Sequence, residues 1–163
     1  MTDSAQKLVC MLRLKPQAMA KISGSIYFPD ISGTVSFRKT TFGTLVTADI
    51  KGLPFSYEPC ASRFFGFHIH EGAVCLPPDG DAFSQTKSHY NPYDCLHPDH
   101  SGDLPPLLGN NGYSFQIFLT NSFDTEEIIG KTVVIHSAAD DFTTQPSGNS
   151  GEKIACGEIK KIR

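Results

Sequence analysis

Short segments in which apolar and polar residues alternate dominate the chain. These segments are rich in Val, Ile, Phe, Thr and Tyr, and each is bounded by Gly, Pro, Asn, Asp or Ser. A period of two places successive side chains on opposite faces of a strand, and the bounding residues are turn formers. The pattern therefore predicts strands at 21–28, 33–37, 44–50, 64–70, 113–119, 131–136 and 153–162.

This arrangement predicts an all-β fold. Many short strands separated by turns are typical of a Greek-key β-sandwich or a flattened eight-stranded barrel. No window of a dozen residues carries a convincing helical stripe, apart from a turn or two near 124–129. At 163 residues the chain is long enough for one well-buried domain and short for two, so we predict a single domain over 1–163. Residues 1–18 are a candidate mobile N-terminal extension.

Composition and charge exclude several kinds of partner. The formal net charge is −3, from 17 acidic and 14 basic residues, and no basic patch of the kind that binds nucleic acid or an anionic membrane is present. No run approaches the roughly 20 apolar residues of a membrane-spanning helix. Residues 1–16 lack the apolar core of a secretory signal. We therefore expect no nucleic-acid or membrane partner and a cytoplasmic location, or a secreted or periplasmic one if a signal has been removed.

Two polar stretches interrupt the strand pattern. Residues 71–111 are rich in Pro, Gly, Asp and His, and residues 137–152 contain the run SGNSG. Loops longer than about 12–15 residues are uncommon unless they are functional. We therefore expect a functional site where these two long loops meet the strands.

All six histidines lie at strand ends or in the first long loop. His68 and His70 form an H-x-H pair on a predicted strand, so both rings project from one face. His136 ends another predicted strand and meets that pair if the two strands are neighbours. The loop contributes the remaining histidines and a nearby aspartate: His89, His97, His100 and Asp103. Neutral imidazoles suit Zn²⁺ or Cu²⁺, and three residues of one turn plus one from elsewhere complete a four-coordinate zinc site.

Each part of this pattern also has an ordinary explanation. An H-x-H pair in a strand is solvated or structural more often than it binds metal, and H-x-x-H in a loop is a weaker signal still. The joint pattern favours a metal site, because all six histidines are compatible with one cleft. By itself it specifies neither the metal nor the reaction.

Five motifs, in order along the chain, resemble those of the copper/zinc superoxide dismutases. They are the copper-ligand strand (GFHIHE, 66–71), the bridging-histidine segment (SHYNP, 88–92), the end of the zinc loop (HSGDLP, 100–105), the strand with the last copper ligand (GKTVVIH, 130–136, followed by ADD, 139–141) and the C-terminal signature (GNSGEKIACG, 148–157). The Leu-Pro of the third motif is similar to the bacterial branch of the family. Together the motifs cover roughly residues 20–160, and the family's β-sandwich agrees with the fold predicted above.

The resemblance implies copper and zinc as cofactors and a particular set of ligands. Copper would be bound by four histidines: His68, His70, His89 and His136. Zinc would be bound by three histidines and an aspartate: His89, His97, His100 and Asp103. His89 would then be an imidazolate shared by both metals. Asp140 would accept N–H bonds from one histidine of each set, and Cys75 and Cys156 would form a disulfide.

The activity that the resemblance implies is superoxide dismutation. It converts two superoxide anions to dioxygen and hydrogen peroxide as copper alternates between Cu²⁺ and Cu⁺, with zinc as a structural and electrostatic partner. The alternative is a copper-binding protein for storage or delivery on the same fold, without turnover. The presence of all four copper-position histidines favours the enzyme, because a non-catalytic relative is expected to have lost one of them. This conclusion rests on the site and not on the fold. Members of the family associate in different ways, so the resemblance does not fix the oligomeric state. A homodimer is one of the alternatives.

Three features depart from the family pattern. Lys153 stands where the family usually has an arginine that guides superoxide to copper; it keeps the charge but not the planar donor, so we expect weakened activity. His97 and His100 are closer together than in most relatives, which compresses the zinc loop. The cysteines number five, so at least one stays unpaired within the chain. Cys60 and Cys95 are expected to be free buried thiols, with a second bridge between them as the alternative.

Overall fold

Strands account for most of the regular structure in the computed structural model, which describes residues 3–75 and 83–163. The strands in these ranges are β1 Ala18–Gly24, β2 Ser32–Thr40, β3 Gly43–Lys51, β4 Phe64–Phe65, β5 Phe67–His70, β6 Leu107–Leu108, β7 Tyr113–Thr120, β8 Thr132–His136 and β9 Lys153–Lys161. A helix, α1, spans Asp3–Arg13, and a short 3-10 helix spans Ser84–Thr86. Neither helix is long and apolar enough to cross a membrane.

One curled antiparallel sheet of seven strands forms the framework, in the order β5-β8-β9-β1-β2-β3-β7. The first three strands pair in sequence, and the last strand returns to lie between β1 and β8, which gives a Greek-key order. The predicted all-β fold is confirmed. The main sheet has seven strands and not eight, because Gly66 divides the predicted strand 64–70 and the short strand β4 pairs with β6 instead.

Alternate side chains of the sheet face one hydrophobic core. In β1, Ala20 and Ile22 are buried while Lys21 between them is exposed, and β3 repeats this alternation around Asp49. The core is completed by Phe37 of β2, whose ring meets the edge of the Phe123 ring at a centroid distance of 6.3 Å. Burial of this inner face fixes the register of the strands, so it also fixes which residues project outward.

The N-terminal region differs from the prediction. Residues 1–18 were a candidate mobile extension, and we expected a first strand at 21–28; residues 1 and 2 lie outside the described part of the chain. The structure has the helix α1 in this region, where no helix was predicted, and β1 spans Ala18–Gly24, earlier than the predicted first strand. The apolar residues of α1 follow the helical spacing i, i+3, i+4 and i+7, at Ala5, Leu8, Val9 and Leu12. This stripe is too short to be distinguished in the sequence from an ordinary apolar run. The segment near 124–129 forms turns and no helix.

A disulfide between Cys75 and Cys156 joins the first long loop to β9, with Cα atoms 5.7 Å apart. This pairing confirms the one that the family resemblance implied. The other three cysteines are free thiols, of which Cys10 and Cys60 are exposed and Cys95 is partly buried. The expectation of buried thiols was therefore wrong for Cys60, because it lies in a surface turn that Ala61 closes through a hydrogen bond to Glu58 O. The second bridge is not formed.

We predict that Phe37→Ala lowers the free energy of unfolding by about 3–5 kcal/mol, because it removes a fully buried ring from the core. Phe42→Ala is the matched control, since the Phe42 side chain in the β2–β3 hairpin is 59% exposed. Urea unfolding of both variants measures the difference. Equal losses of stability in the two variants would contradict the assignment of the core.

Candidate metal centre

The pairing of β5 with β8 brings three histidines together on the outer face of the sheet. His68 lies opposite Val134 and His70 opposite Thr132 in the ladder, while the intervening Ile69 faces the core. A bulge in β8 falls between Ile135 and His136, whose backbone N–H donates to Gly66 O at 2.8 Å. The three imidazoles of these strands are all buried beneath the two long loops.

His89 reaches the same place on a short ribbon that the first long loop forms with the end of β5. Tyr90 N donates to Ile69 O at 2.8 Å and Glu71 N donates to Ser88 O at 2.9 Å, so the two segments run antiparallel. His89 thereby lies beside His70, and its ring stacks on that of His68 with centroids 4.0 Å apart.

Two groups of side chains could each hold a metal ion. We call His68, His70, His89 and His136 the four-histidine cluster, and His89, His97, His100 and Asp103 the histidine–aspartate cluster. In each of them, the atoms that can ligate all lie within 4.8 Å of one another. The structure thus brings every predicted ligand into one of two adjoining groups. His89 belongs to both, and its role and those of the others as ligands stay predictions.

Lone pairs face each other in the four-histidine cluster. His70 Nδ1 lies 2.8 Å from Lys87 O, and His136 Nδ1 lies 3.2 Å from Gly151 O. A carbonyl oxygen only accepts, so each Nδ1 carries the proton. Burial, then the neighbouring imidazoles, holds the pKa of His70 well below its usual range and lowers that of His136 to about 3, so both rings are neutral at pH 7. Their Nε2 lone pairs, 3.3 Å apart, repel each other unless a cation lies between them.

The other two imidazoles of this cluster direct buried nitrogens to the same point. His68 donates from Nε2 to Asp140 Oδ2 at 2.7 Å, which leaves its Nδ1 as a lone pair. Burial lowers the pKa of His68 even though the hydrogen bond to Asp140 opposes it. Neither His68 Nδ1 nor His89 Nε2 has a hydrogen-bond partner within the described structure. Buried polar atoms without partners are uncommon and costly, so these nitrogens fit ligands of a cation.

Asp103 is the centre of the histidine–aspartate cluster. Its Oδ1 lies 2.7 Å from His89 Nδ1, and its Oδ2 lies 3.0 Å from His97 Nδ1 and 3.2 Å from His100 Nδ1. Burial raises the pKa of Asp103, but the hydrogen bond from His89 and the nearby imidazoles outweigh it and leave the pKa lowered. The compressed spacing of the loop still lets three nitrogens and a carboxylate converge, the donor set of a tetrahedral zinc site.

Asp140 connects the two clusters from behind. Its Oδ1 accepts from His97 Nε2 at 2.9 Å, while Oδ2 accepts from His68. These bonds fix the tautomers, because each donor nitrogen leaves the opposite ring nitrogen free to face a cation. Gly148 packs against this pair: a Cβ there would overlap Asp140 Oδ1 and lie 2.7 Å from His97 Nε2, and its φ is +64°. Gly148 was missed as a functional position, although it opens the C-terminal motif.

Lys153 lies beside the four-histidine cluster and is tied to the loop. Its Nζ donates to Thr86 Oγ1 at 2.8 Å and to Lys87 O at 3.1 Å, the same carbonyl that accepts from His70. After burial and the neighbouring imidazoles, the charge of Lys153 also lowers the pKa values of His70 and His136. Its electrostatic field therefore reaches the cluster. The fully buried Thr86 that anchors it carried no signal in the sequence.

The structure combines an all-β fold with two adjoining clusters that could each hold a metal ion. A family model described as copper/zinc superoxide dismutase matches residues 31–159. The chain is 33% identical over 146 residues to Cu-Zn superoxide dismutase 2 of Aquifex aeolicus, with 80% of each covered. The chain belongs to the copper/zinc superoxide dismutase family, and its two clusters fit copper and zinc.

Two further similarities complete the comparison. The chain is 36% identical over 121 residues to the superoxide dismutase-like protein YojM of Bacillus subtilis, with 64% of this chain and 58% of that protein covered. The solved Cu/Zn superoxide dismutase from Brucella abortus has a TM-score of 0.73 at 23% identity, with 88% of this chain and 99% of that chain covered. The latter similarity supports the fold.

We predict that Asp140→Asn weakens binding of both metals by about 10–100-fold. An amide has one acceptor oxygen, so it cannot accept from His68 and His97 together, and its NH₂ group would face an N–H. Competition titrations with Zn²⁺ and Cu²⁺ measure the two affinities. Glu152→Gln, which neutralises an exposed carboxylate of the same loop, is the control. If both variants bound the metals like the unmodified protein, Asp140 would have no part in the sites.

Proposed function

We propose that this protein is a superoxide dismutase with a copper site and a zinc site that share one imidazole. In this proposal copper is held by the four-histidine cluster and zinc by the histidine–aspartate cluster. The observation that carries the proposal is the position of His89, whose Nε2 faces one cluster while its Nδ1 lies 2.7 Å from Asp103 in the other. A protein that only stored copper would not need a second cluster joined to the first in this way.

The side chains divide the work of the proposed reaction. The chemistry that copper supplies when bound is the uptake and release of one electron, which converts two superoxide anions to dioxygen and hydrogen peroxide. His70 and His136 present Nε2 to the site because backbone carbonyls hold their Nδ1 protons. His68 is turned the other way by Asp140, so it presents Nδ1. Hydrogen bonds within the protein thus orient the proposed ligands, which is the general role of outer hydrogen bonds at metal sites.

Lys153 is proposed to attract the anionic substrate. The chain as a whole carries a formal charge of −3, and its second long loop, 137–152, contains no Lys or Arg. Hydrogen bonds to Thr86 Oγ1 and to the backbone oxygen of Lys87 hold Lys153 Nζ at a fixed place beside the four-histidine cluster. A fixed positive charge near a cleft raises the encounter rate of an anion and does so less as salt is added.

The second candidate function is copper storage or delivery without turnover. It is kept because one relative of the chain is named only as superoxide dismutase-like. The two candidates differ in a measurable respect, since the storage protein would bind copper and leave superoxide unconsumed.

The direct test is a superoxide-consumption assay on protein reconstituted with both metals, run beside His136→Ala. We expect the unmodified protein to consume superoxide and the variant to lose most of its activity, because one of four proposed copper ligands is missing. Metal analysis of both samples separates a loss of copper from a loss of reactivity. Copper-loaded protein that is no faster than His136→Ala would contradict the enzyme and favour the storage function.

The role of Lys153 has its own test. We expect added salt to slow the reaction of the unmodified protein, and Lys153→Glu to slow it by about tenfold or more at low salt. Lys153→Arg keeps the charge and serves as the control. Rates that do not depend on salt, in the unmodified protein and in Lys153→Glu alike, would show that the charge does not guide the substrate.

A further inference from the structure

One lysine lies behind the metal centre in a mostly buried position that the proposed reaction does not use. Lys131 precedes β8, and its Nζ forms an ion pair with Glu71 Oε2 at 2.8 Å. The same ammonium lies 4.2 Å from the centroid of the Tyr90 ring. The Lys131 side chain is 17% exposed, whereas that of Lys39, which pairs with Glu126 elsewhere on the surface, is 51% exposed.

The two partners of Lys131 are the chain neighbours of two proposed ligands. Glu71 follows His70, and Tyr90 follows His89. These residues belong to the two segments of the antiparallel ribbon, in which successive side chains point to opposite faces. Glu71 and Tyr90 therefore project from the back of the ribbon, while the two histidines project from its front.

We propose that Lys131 is a positioning residue that sets the separation of His70 and His89. It does so by holding the two segments of the ribbon together from behind, through an ion pair to one segment and a cation–π contact to the other. The inference rests on the proposed function, because it takes these two histidines to be metal ligands. Lys131 touches neither cluster and acts only through Glu71 and Tyr90.

The ribbon needs such a clamp because it is short. It is held by three backbone hydrogen bonds, Tyr90 N to Ile69 O, Glu71 N to Ser88 O and Gly72 N to Thr86 O. One segment is anchored in the main sheet through β5, and the segment of His89 is attached to it over only a few residues, so side-chain contacts across the ribbon help to fix where His89 lies. Two side-chain hydrogen bonds also cross the ribbon: His70 Nδ1 donates to Lys87 O at 2.8 Å, and Glu71 Oε1 accepts from Asn91 N at 3.4 Å.

Removal of the ammonium would affect both segments at once. The Lys131 ammonium is the cation shared by the Glu71 carboxylate and the negative face of the Tyr90 ring, so without it neither segment would keep this attraction to the other. The two segments would move apart, and the His89 ring would move with its own segment. Because His89 belongs to both clusters, the ligand geometry offered to both metals would change.

The experiment compares Lys131→Met with the matched control Lys39→Met, each loaded with copper and zinc. Methionine keeps an unbranched apolar chain and removes the charge. We expect Lys131→Met to weaken zinc binding about tenfold, as loss of outer-shell partners does, and to change the copper hyperfine splitting in the EPR spectrum. Lys131→Arg should restore both values, and Lys39→Met should match the unmodified protein. Glu71→Gln should reproduce the effect, and the double variant should add little to it.

A merely structural role would give a different result. If Lys131→Met lowered the unfolding free energy of the metal-free protein but left the EPR spectrum and the zinc affinity unchanged, the inference would be overturned. Equal effects of Lys131→Met and Lys39→Met would overturn it as well. Neither readout requires turnover, so a protein that binds both metals without consuming superoxide would contradict only the proposed function. An active enzyme whose spectrum is unchanged in Lys131→Met would contradict only this inference.

Discussion

Repulsion between buried lone pairs is the constraint on which this structure depends. The Nε2 atoms of His70 and His136 lie 3.3 Å apart with both protons committed to carbonyl oxygens on the far side of each ring. His97 Nδ1 likewise faces a carboxylate oxygen of Asp103 at 3.0 Å. A protein interior tolerates such contacts only where a cation offsets them. The sheet, the loops and the outer hydrogen bonds can all be understood as the means of holding these atoms in place.

The sheet and the loops contribute different parts of that support. Pairing of β5 with β8 fixes three of the histidines on a rigid surface. The loops therefore have to position only the other residues of the two clusters. The loops are in turn tied down at several places, by the disulfide to β9, by Lys153 and by the carboxylate of Asp140. Sites held by such outer contacts keep their geometry better than sites on free loops. The two clusters therefore form one unit, joined through His89 in front and Asp140 behind.

The sequence was informative where one local rule decides the outcome. Alternation predicted the strand that carries His68 and His70, and strand pairing made His136 a neighbour of both. Contacts between distant segments were not accessible in this way. Lys131 and Glu71, sixty positions apart, have no local pattern that links them, and Thr86 is an ordinary polar loop residue until the fold brings Lys153 to it. The helix α1 was missed because its apolar stripe is short and none of its residues is buried.

The central claim is that one imidazole ring joins two metal ions, and EPR spectroscopy tests it most directly. Protein loaded with Cu²⁺ at the four-histidine cluster would be titrated with high-spin Co²⁺ at the histidine–aspartate cluster. A bridging His89 couples the unpaired electrons of the two ions, so the account predicts that the copper signal disappears as cobalt binds, and that it persists in His89→Ala. A copper signal of undiminished intensity in the unmodified protein, with both ions bound, would contradict the shared ligand and the site built upon it.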